Sequence, residues 1–418
     1  MLEKRIAQIL QNANGDLSFQ KRIYQQLHAH PELSGLETVT AGRIQKELQN
    51  FDCEVITGIG GHGIVAIFRN GPGKTALMRA DFDGLPIREE TGASFASQHV
   101  QIDKKGIEQP TMHACGHDMH VTATLGLCAL MDANRQDWQG TFIALFQPSE
   151  ENLQGAKNML ADGLLSKIPA PDICFGQHIL PGRAGEVYSR PGPTMATTVS
   201  LKITIPGISN HASVPHQAID PTFALGAILM RLQAVVGREV NPHDFAVVTV
   251  AVIKAGIVPG IIPGSAELEL SCCFYDSQVR DKVIAAIKRL VRAECLASNC
   301  PAEPIFEYNS AAPLTHNEAE VFATVRPVFD AVFGENSRDA YKNAGGEDFS
   351  HIPTAFKVPY LYWFIGCTPH EIWDAAVATD TTDQLPSNHM PNFLPDFEHT
   401  VNAATKAAAA AVLTYLVK

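Results

Sequence analysis

The sequence predicts a two-part α/β protein in which an α+β domain is inserted into a larger one. On both sides of the insertion, short apolar runs that suit buried strands alternate with helical segments. Residues 198–308 predict the order strand, helix, strand, strand, helix, strand, which is the split βαβ arrangement. The predicted first domain covers 1–190 and 311–418, and the inserted domain covers 191–310. Because both linkers of an inserted domain lie close together, this division suits hinge or lid motion.

The composition predicts a globular protein that acts on small molecules. Of 418 residues, 45% are hydrophobic and 18% are charged, which suits a large core. The formal net charge of -12 argues against nucleic acid or an anionic membrane as the main partner. The sequence has neither a bilayer-spanning apolar run nor a secretion signal. Nine cysteines in no framework spacing favour a reduced, cytoplasmic protein.

The amino-terminal region predicts helices followed by strands. Residues 3–28 have helical spacing that Asn14-Gly15 could break into two helices, and residues 37–50 predict another helix. Residues 58–63 have the glycine spacing of a dinucleotide-binding loop. That motif needs a helix next, but the β-branched residues 64–68 favour a strand. A glycine-rich turn between two strands is therefore the preferred interpretation.

Chemically active residues follow the ends of three predicted strands. Asp81 follows strand 76–80, a glutamate pair follows strand 141–146, and His178 ends strand 173–178. In open α/β sheets, the carboxyl ends of the strands are where ligands bind. We therefore expect these side chains to converge.

The segment His113–His120 is rich in metal ligands, with three histidines, one cysteine and one aspartate, and a helix over 119–132 follows it. Thiolate and neutral imidazole are good ligands for a borderline divalent metal. The candidate ligands are Cys115, His117, Glu150 or Glu151, His178 and His389, with Asp81, His113, Asp118 and His120 in reserve. This set is larger than one structural zinc site uses and suits a two-metal centre.

The adjacent Glu150 and Glu151 suggest a division of labour. In an extended chain, neighbouring side chains face opposite directions, so we expect one to bind metal and the other to lie beside a bound water. A metal lowers the pKa of that water to about 7, and a nearby carboxylate can take its proton.

Several motifs together resemble those of the dizinc or dimanganese amidohydrolases and peptidases that include aminoacylases, carboxypeptidase G, hippurate hydrolases and plant auxin-conjugate hydrolases. The similarity is greatest to the last two, the N-acyl-amino-acid amidohydrolase branch. The matching stretches appear in family order across nearly the whole chain. They are His30–Leu33, Arg79–Pro86, His113–Asp118, Gln147–Glu151, Gly176–His178, His211–His216, Gly346–Ser350 and His389–Pro391.

The resemblance implies a mixed-sheet, zinc-peptidase-like catalytic domain with a ferredoxin-like lid and dimerisation domain. It implies two divalent ions per subunit (zinc, manganese, nickel or cobalt) and the metal ligands Cys115, His117, Glu151, His178 and His389. It makes Glu150 the general base and later the acid that protonates the leaving amine. Asp81 would orient a ligand. His211, from the inserted domain and often of the partner subunit in the family, would stabilise the developing oxyanion in a homodimer.

Three positions depart from the family pattern. Asn210 precedes His211 where a glycine is usual, Gly260 stands where the branch tends to have asparagine, and Cys273 lies where a Thr-x-Arg is usual. The usual asparagine and arginine are thought to help bind the substrate carboxylate or carbonyl, so these departures bear on the substrate rather than on the metal site.

The predicted function is metal-dependent hydrolysis of an N-acyl amino acid, such as hippurate or an N-acetyl amino acid. Three alternatives stay open at this stage. They are a dipeptidase or aminopeptidase of the same superfamily, a binding protein that has lost turnover, and a metal-binding scaffold in which Cys115 acts as a redox thiol. Intact Glu150 argues against the loss of turnover.

Overall fold

The computed structural model describes residues 2–12 and 17–418. The predicted break at Asn14-Gly15 lies outside these ranges. Within them, no helix combines the length and apolar character that crossing a bilayer requires.

Twelve α-helices occur in the described ranges. They are α1 (Leu2–Asn12), α2 (Ser18–His28), α3 (Thr38–Leu48), α4 (His117–Ala133), α5 (Gly155–Ala161), α6 (Leu164–Lys167), α7 (Pro221–Glu239), α8 (Ser277–Ala297), α9 (Ala319–Phe333), α10 (His351–Phe356), α11 (His370–Thr379) and α12 (Phe397–Leu416).

The same ranges contain eighteen strands. They are β1 (Glu54–Ile59), β2 (Gly63–Asn70), β3 (Thr75–Asp81), β4 (Val100–Ile102), β5 (Glu108–Pro110), β6 (Gly140–Gln147), β7 (Ile173–Arg183), β8 (Val187–Ser189), β9 (Gly192–Met195), β10 (Thr197–Pro206), β11 (Asn210–His211), β12 (Ala246–Ala255), β13 (Ile261–Ile262), β14 (Ser265–Phe274), β15 (Ile305–Ala312), β16 (Thr315–Asn317), β17 (Ser337–Asp339) and β18 (Tyr360–Thr368).

The chain divides into two compact units. The first comprises 1–194, 316–341 and 348–418, and the second comprises 195–315 and 342–347. The short stretch 342–347, which the sequence-based division placed in the first domain, therefore groups with the second unit. Its backbone explains why, since the amide of Ala196 donates to the carbonyls of Asn343 and Gly345 at 3.0 and 3.1 Å.

The first unit is built on an eight-stranded mixed sheet in the order β1-β2-β6-β3-β7-β18-β8-β17. Strands β6, β3, β7 and β18 run parallel to one another, whereas β1 and β2 are antiparallel to their neighbours. This sheet confirms the predicted mixed α/β class. The parallel centre is almost entirely buried, as expected where helices cover both faces.

The predicted turn between two strands is also confirmed. Strands β1 and β2 pair antiparallel and are joined at Gly60–His62. Gly60 has φ +65°, and a Cβ there would lie 2.5 Å from the backbone nitrogen of Met159, so only glycine fits.

Helix α12 packs against the central sheet through a run of alanines in its middle. Its Ala407–Ala411 run is fully buried, and small side chains allow close approach to α4 and β3. These contacts place the amino-terminal end of α4, which follows Cys115, at the carboxyl ends of the parallel strands.

The second unit contains a four-stranded antiparallel sheet in the order β12-β14-β10-β15, with α7 and α8 in its core. The strand order and connections are those of a ferredoxin-like fold, as predicted. In β10, buried and half-buried residues alternate, so helices cover one face of the sheet. Strand β12 forms one edge.

Candidate metal centre

The Cys115 loop ends in a backbone conformation that brings two candidate ligands together. Gly116 has φ +79°, and His117 begins α4 directly after it. A Cβ at Gly116 would lie 2.3 Å from Cδ1 of Ile179. Both the left-handed backbone and the lack of space therefore favour glycine at this position. Cys115 is 7% exposed and His117 is fully buried.

Two histidines direct their Nε2 atoms into the site. Nδ1 of His178 donates to the Ile179 carbonyl at 2.6 Å, so Nε2 carries the lone pair, 3.4 Å from Sγ of Cys115. Nδ1 of His117 lies 3.2 Å from Oδ1 of Asp83, which likewise leaves Nε2 facing the site. Fixing the ring through its second nitrogen is how proteins prepare histidine to bind a metal.

The expectation that Glu150 and Glu151 face opposite directions is wrong. Nε2 of His117 lies 3.9 Å from Oε2 of Glu150 and 3.7 Å from Oε1 of Glu151. The segment is a turn rather than an extended strand, because Ser149 has φ +56° and the Leu153 amide donates to the Glu150 carbonyl. Both carboxylates therefore converge on the same imidazole.

His389 reaches the site from a distant part of the chain. Its backbone has φ +70°, an uncommon value for a residue with a side chain, and its amide donates to the Ala114 carbonyl at 2.8 Å. Its Nε2 lies 3.2 Å from Sγ of Cys115 and 3.3 Å from Oε2 of Glu151. The strained backbone is held where it directs the ring toward the other candidate ligands.

Cys115 belongs to two groups of donors that could each hold a metal ion. One comprises Cys115, His117 and His178, and the other comprises Cys115, Glu151 and His389. Nε2 of His117 and Oε1 of Glu151 are buried with no hydrogen-bond partner in the described chain. Such orphaned atoms are costly unless an ion satisfies them. The donor set therefore fits divalent metal.

The electrostatics of the site also favour a cation. Burial alone would lower the pKa of His117, but Asp81, Asp83 and Glu151 raise it to about 10. Burial and the nearby carboxylates of Glu151 and Glu150 raise the pKa of the Cys115 thiol well above its usual value. Carboxylates that favour a proton on His117 would also stabilise a divalent ion in its place.

Asp81 lies beside the donors in a buried charge network. One carboxylate oxygen contacts Nδ1 of His120 and the other contacts Arg79. The Ile179 amide donates to Nε2 of His120, so both nitrogens of that ring are occupied. Oδ2 of Asp81 is 3.9 Å from Nε2 of His117. His120 is thus a neighbour of the donor groups rather than a free ligand.

Asp83 is a site residue that the sequence-based reasoning missed. Besides its contact with His117, its Oδ2 accepts from the Ser34 hydroxyl at 2.6 Å and from the Glu151 amide at 3.0 Å. It therefore links two candidate ligands. Its place two residues after Asp81 was a signal, because the alternate acidic residues at this strand end can both enter the site.

His211 lies in the second unit, on the short strand β11 paired with β13. The Ser213 amide donates to its Nδ1 at 3.1 Å, so the neutral ring carries its proton on Nε2. His211 therefore presents a hydrogen-bond donor at its outer nitrogen.

Comparisons with known proteins identify the family. Residues 77–384 match the model of peptidase family M20/M25/M40. The chain is 32% identical to N-acetylcysteine deacetylase of Bacillus subtilis over 354 residues, 83% of this chain and 88% of that protein. It is 33% identical to hippurate hydrolase of Campylobacter jejuni over 346 residues, 82% and 87% of the two chains.

A solved structure has the same fold over nearly the whole chain. It is the Bacillus subtilis YXEP protein, described as a dinuclear metal binding peptidase from the M20 family, with a TM-score of 0.73 and 27% identity. The match covers 96% of this chain and 99% of that one. With the family model matching residues 77–384, this chain belongs to peptidase family M20/M25/M40, a family of hydrolases.

Proposed function

We propose that this protein is a metal-dependent amidohydrolase that cleaves N-acyl amino acids, hippurate-like or N-acetylated, into a carboxylate and an amine. The observation that carries the proposal is the convergence of one thiol, one carboxylate and three imidazoles. Among the described residues, Nε2 of His117 and Oε1 of Glu151 have no hydrogen-bond partner. The relatives named N-acetylcysteine deacetylase and hippurate hydrolase support this substrate class.

Two divalent ions per subunit are the proposed cofactors. The two donor groups that share Cys115 support this number, as does the solved relative described as dinuclear. The proposed ligands are Cys115, His117, Glu151, His178 and His389. Thiolate and imidazole suit zinc, nickel or cobalt, and the carboxylate also allows manganese.

Glu150 is the proposed general base and acid. A bound divalent ion would lower the pKa of a water molecule and polarise the amide carbonyl. Glu150 would take a proton from the attacking water and later give it to the leaving amine nitrogen. Its side chain is mostly buried and lies against His117, which supports this role.

Two positioning roles complete the mechanism. Asp81 holds His120 and Arg79 beside the ligands, and Asp83 holds the ring of His117. His211 would donate its Nε2 proton in a hydrogen bond to the oxyanion that develops during attack. The tautomer set by Ser213 supports that donation.

The second unit is the proposed lid and dimerisation domain. Strand β12 is at the edge of its sheet, where its outer backbone groups can pair with another strand. On α7 of the same unit, Phe223 and Met230 are 74% and 79% exposed. An open strand edge beside exposed apolar side chains supports a homodimer formed through this unit.

Peptide hydrolysis is the second candidate, because the solved relative is described as a peptidase. A panel of hippurate, N-acetyl amino acids and dipeptides, assayed with each divalent metal, separates the two. Turnover of the acyl amino acids at least tenfold faster than that of dipeptides supports the proposal. The reverse order assigns a dipeptidase, and no turnover on the panel contradicts both.

Two variants test the mechanism. We expect Glu150→Gln to lower kcat by about 10²–10⁴-fold while both metal ions stay bound, since proton transfer is lost and the ligands are not. We expect Cys115→Ser to lose metal and turnover together. Glu108→Gln, at an exposed position, is the matched control. If Glu150→Gln turns over substrate at the wild-type rate, the proposed mechanism is wrong.

A further inference from the structure

The side chain of Asn388 contacts the candidate metal centre, although the sequence-based prediction of the site did not include this residue. Its Nδ2 donates to the Cys115 carbonyl at 3.3 Å and to the Ile179 carbonyl at 3.2 Å. The same nitrogen lies 3.9 Å from Sγ of Cys115. One amide therefore contacts the loop of Cys115 and strand β7, which carries His178.

The contact between Asn388 and the Ile179 carbonyl matters because this oxygen also contacts a candidate ligand. That oxygen also accepts the Nδ1 proton of His178, and this bond turns Nε2 of His178 toward Cys115. Asn388 thus shares the oxygen that fixes the ring of one candidate ligand, and it holds the main chain of another.

A third candidate ligand, His389, is held beside the same side chain. His389 follows Asn388 directly, and its strained backbone is held by the bond of its amide to Ala114. The side-chain amide of Asn388 connects this segment to the Cys115 carbonyl and to β7 through the Ile179 carbonyl. The side chain of Asn388 therefore lies where three candidate ligands meet. They are Cys115, His178 and His389, and the first two precede His389 by more than 200 residues.

We propose that Asn388 is a positioning residue that sets the metal affinity of the centre by holding these three candidate ligands together and by sharing one N–H group between the carbonyl and the sulfur of Cys115. The inference rests on the proposed metal centre. Partners behind the ligands commonly change metal affinity by about 10–100-fold when they are removed. An N–H directed at a thiolate also withdraws charge from the sulfur, which changes how strongly it donates to a metal.

Cobalt titration of the metal-free full-length protein tests the proposal without an activity assay. Binding of Co²⁺ is followed by calorimetry and by the thiolate-to-cobalt charge-transfer absorption. We expect Asn388→Leu, which has a similar volume and no donor, to bind Co²⁺ about 10–100-fold more weakly. We also expect its charge-transfer band to move to lower energy, because the sulfur keeps more charge.

Two further variants make the result interpretable. Asn392→Leu, at an exposed position on the same loop, should keep the wild-type affinity and band. Asn388→Ala should repeat the effect of Asn388→Leu, which excludes a clash of the larger side chain. Thermal unfolding of the metal-free variants should match that of the wild type.

The outcomes separate this inference from the proposed function. If both Asn388 variants bind Co²⁺ with wild-type affinity and spectrum, or if both unfold without metal, the positioning role is wrong. If Cys115→Ser also keeps the wild-type affinity and spectrum, the proposed metal centre itself is wrong. Loss of binding in Cys115→Ser with no change in the Asn388 variants rejects only the inference.

Discussion

At the scale of single residues, buried charge surrounds the candidate centre and organises it. The Arg79 guanidinium is 1% exposed and contacts Gln147, Asp81 and Asp348, which come from three distant segments. Removing one partner of such a network leaves an uncompensated buried charge, which costs several kcal/mol. The network therefore holds Asp81 ionised, and the pKa of its carboxyl stays well below its usual value because Arg79 and the two nearby histidines outweigh burial.

His28 carries a second buried charge that should make stability depend on pH. Nδ1 lies 2.7 Å from Asp118 and Nε2 lies 3.0 Å from Glu89. Burial opposes the charged form, but these carboxylates raise the pKa of His28 to about 9. Because the folded pKa is above the unfolded value near 6.5, the stabilisation is complete below about pH 6.5 and is lost as pH rises through 9.

A variant at His28 checks this dependence. We expect His28→Gln to lower the free energy of unfolding more at pH 6 than at pH 9.5, with a difference of up to about 3 kcal/mol. Urea unfolding of wild type and variant at both pH values measures it. Equal losses at the two pH values would show that the ring is not charged in the folded state.

At the scale of elements, the start of α4 determines the geometry of the centre. The helical pattern predicted a start near residue 119, and α4 begins at His117, directly after the left-handed Gly116. Helix starts are set by the preceding backbone conformation as much as by apolar spacing, so the pattern alone could not locate the first turn. That turn decides whether His117 points at Cys115.

Gly116→Ala should disturb this start. The left-handed backbone and the clash with Ile179 predict a loss of about 1–3 kcal/mol in the free energy of unfolding, together with weaker metal binding. Calorimetric unfolding and metal titration measure both effects. Gly42→Ala in α3 is the control, because a Cβ there meets nothing within 4 Å, and it should stabilise by up to about 1 kcal/mol. If Gly116→Ala and Gly42→Ala change the free energy of unfolding and the metal affinity equally, the predicted role of the left-handed backbone at Gly116 is wrong.

At the scale of the whole molecule, the second unit offers the surface for the proposed dimer. Ile253 on the edge strand β12 is 52% exposed. A lysine at an edge strand opposes pairing with another chain, because its charge would be desolvated. We therefore expect wild type to sediment as a dimer and Ile253→Lys as a monomer at micromolar concentration.

Ile372→Lys is the matched control for the dimer. Ile372 is 50% exposed on α11 of the first unit, so the substitution makes the same chemical change away from the proposed interface. The Ile372→Lys variant should sediment as the wild type does. A monomeric wild type, or a dimeric Ile253→Lys, would overturn the proposed interface.

The amino-acid sequence by itself determined the class of fold, the family and the donor types. Apolar periodicity predicted the strands and helices because each element must bury one face, and Cys115, His117 and His389 were proposed as ligands because few other residue types bind metal. A change from one alternation of elements to another predicted an inserted domain over 191–310.

Only the tertiary structure decided how the side chains meet. The turn after Ser149 brings Glu150 and Glu151 to one side, Asp83 contacts two candidate ligands, and Asn388 contacts the Cys115 loop and β7. Contacts between distant segments depend on how strands and loops pack. Local patterns describe which face of an element is apolar and carry no information about a hydrogen bond between residues 388 and 115. Such contacts exist only once the sheet has brought its strand ends together.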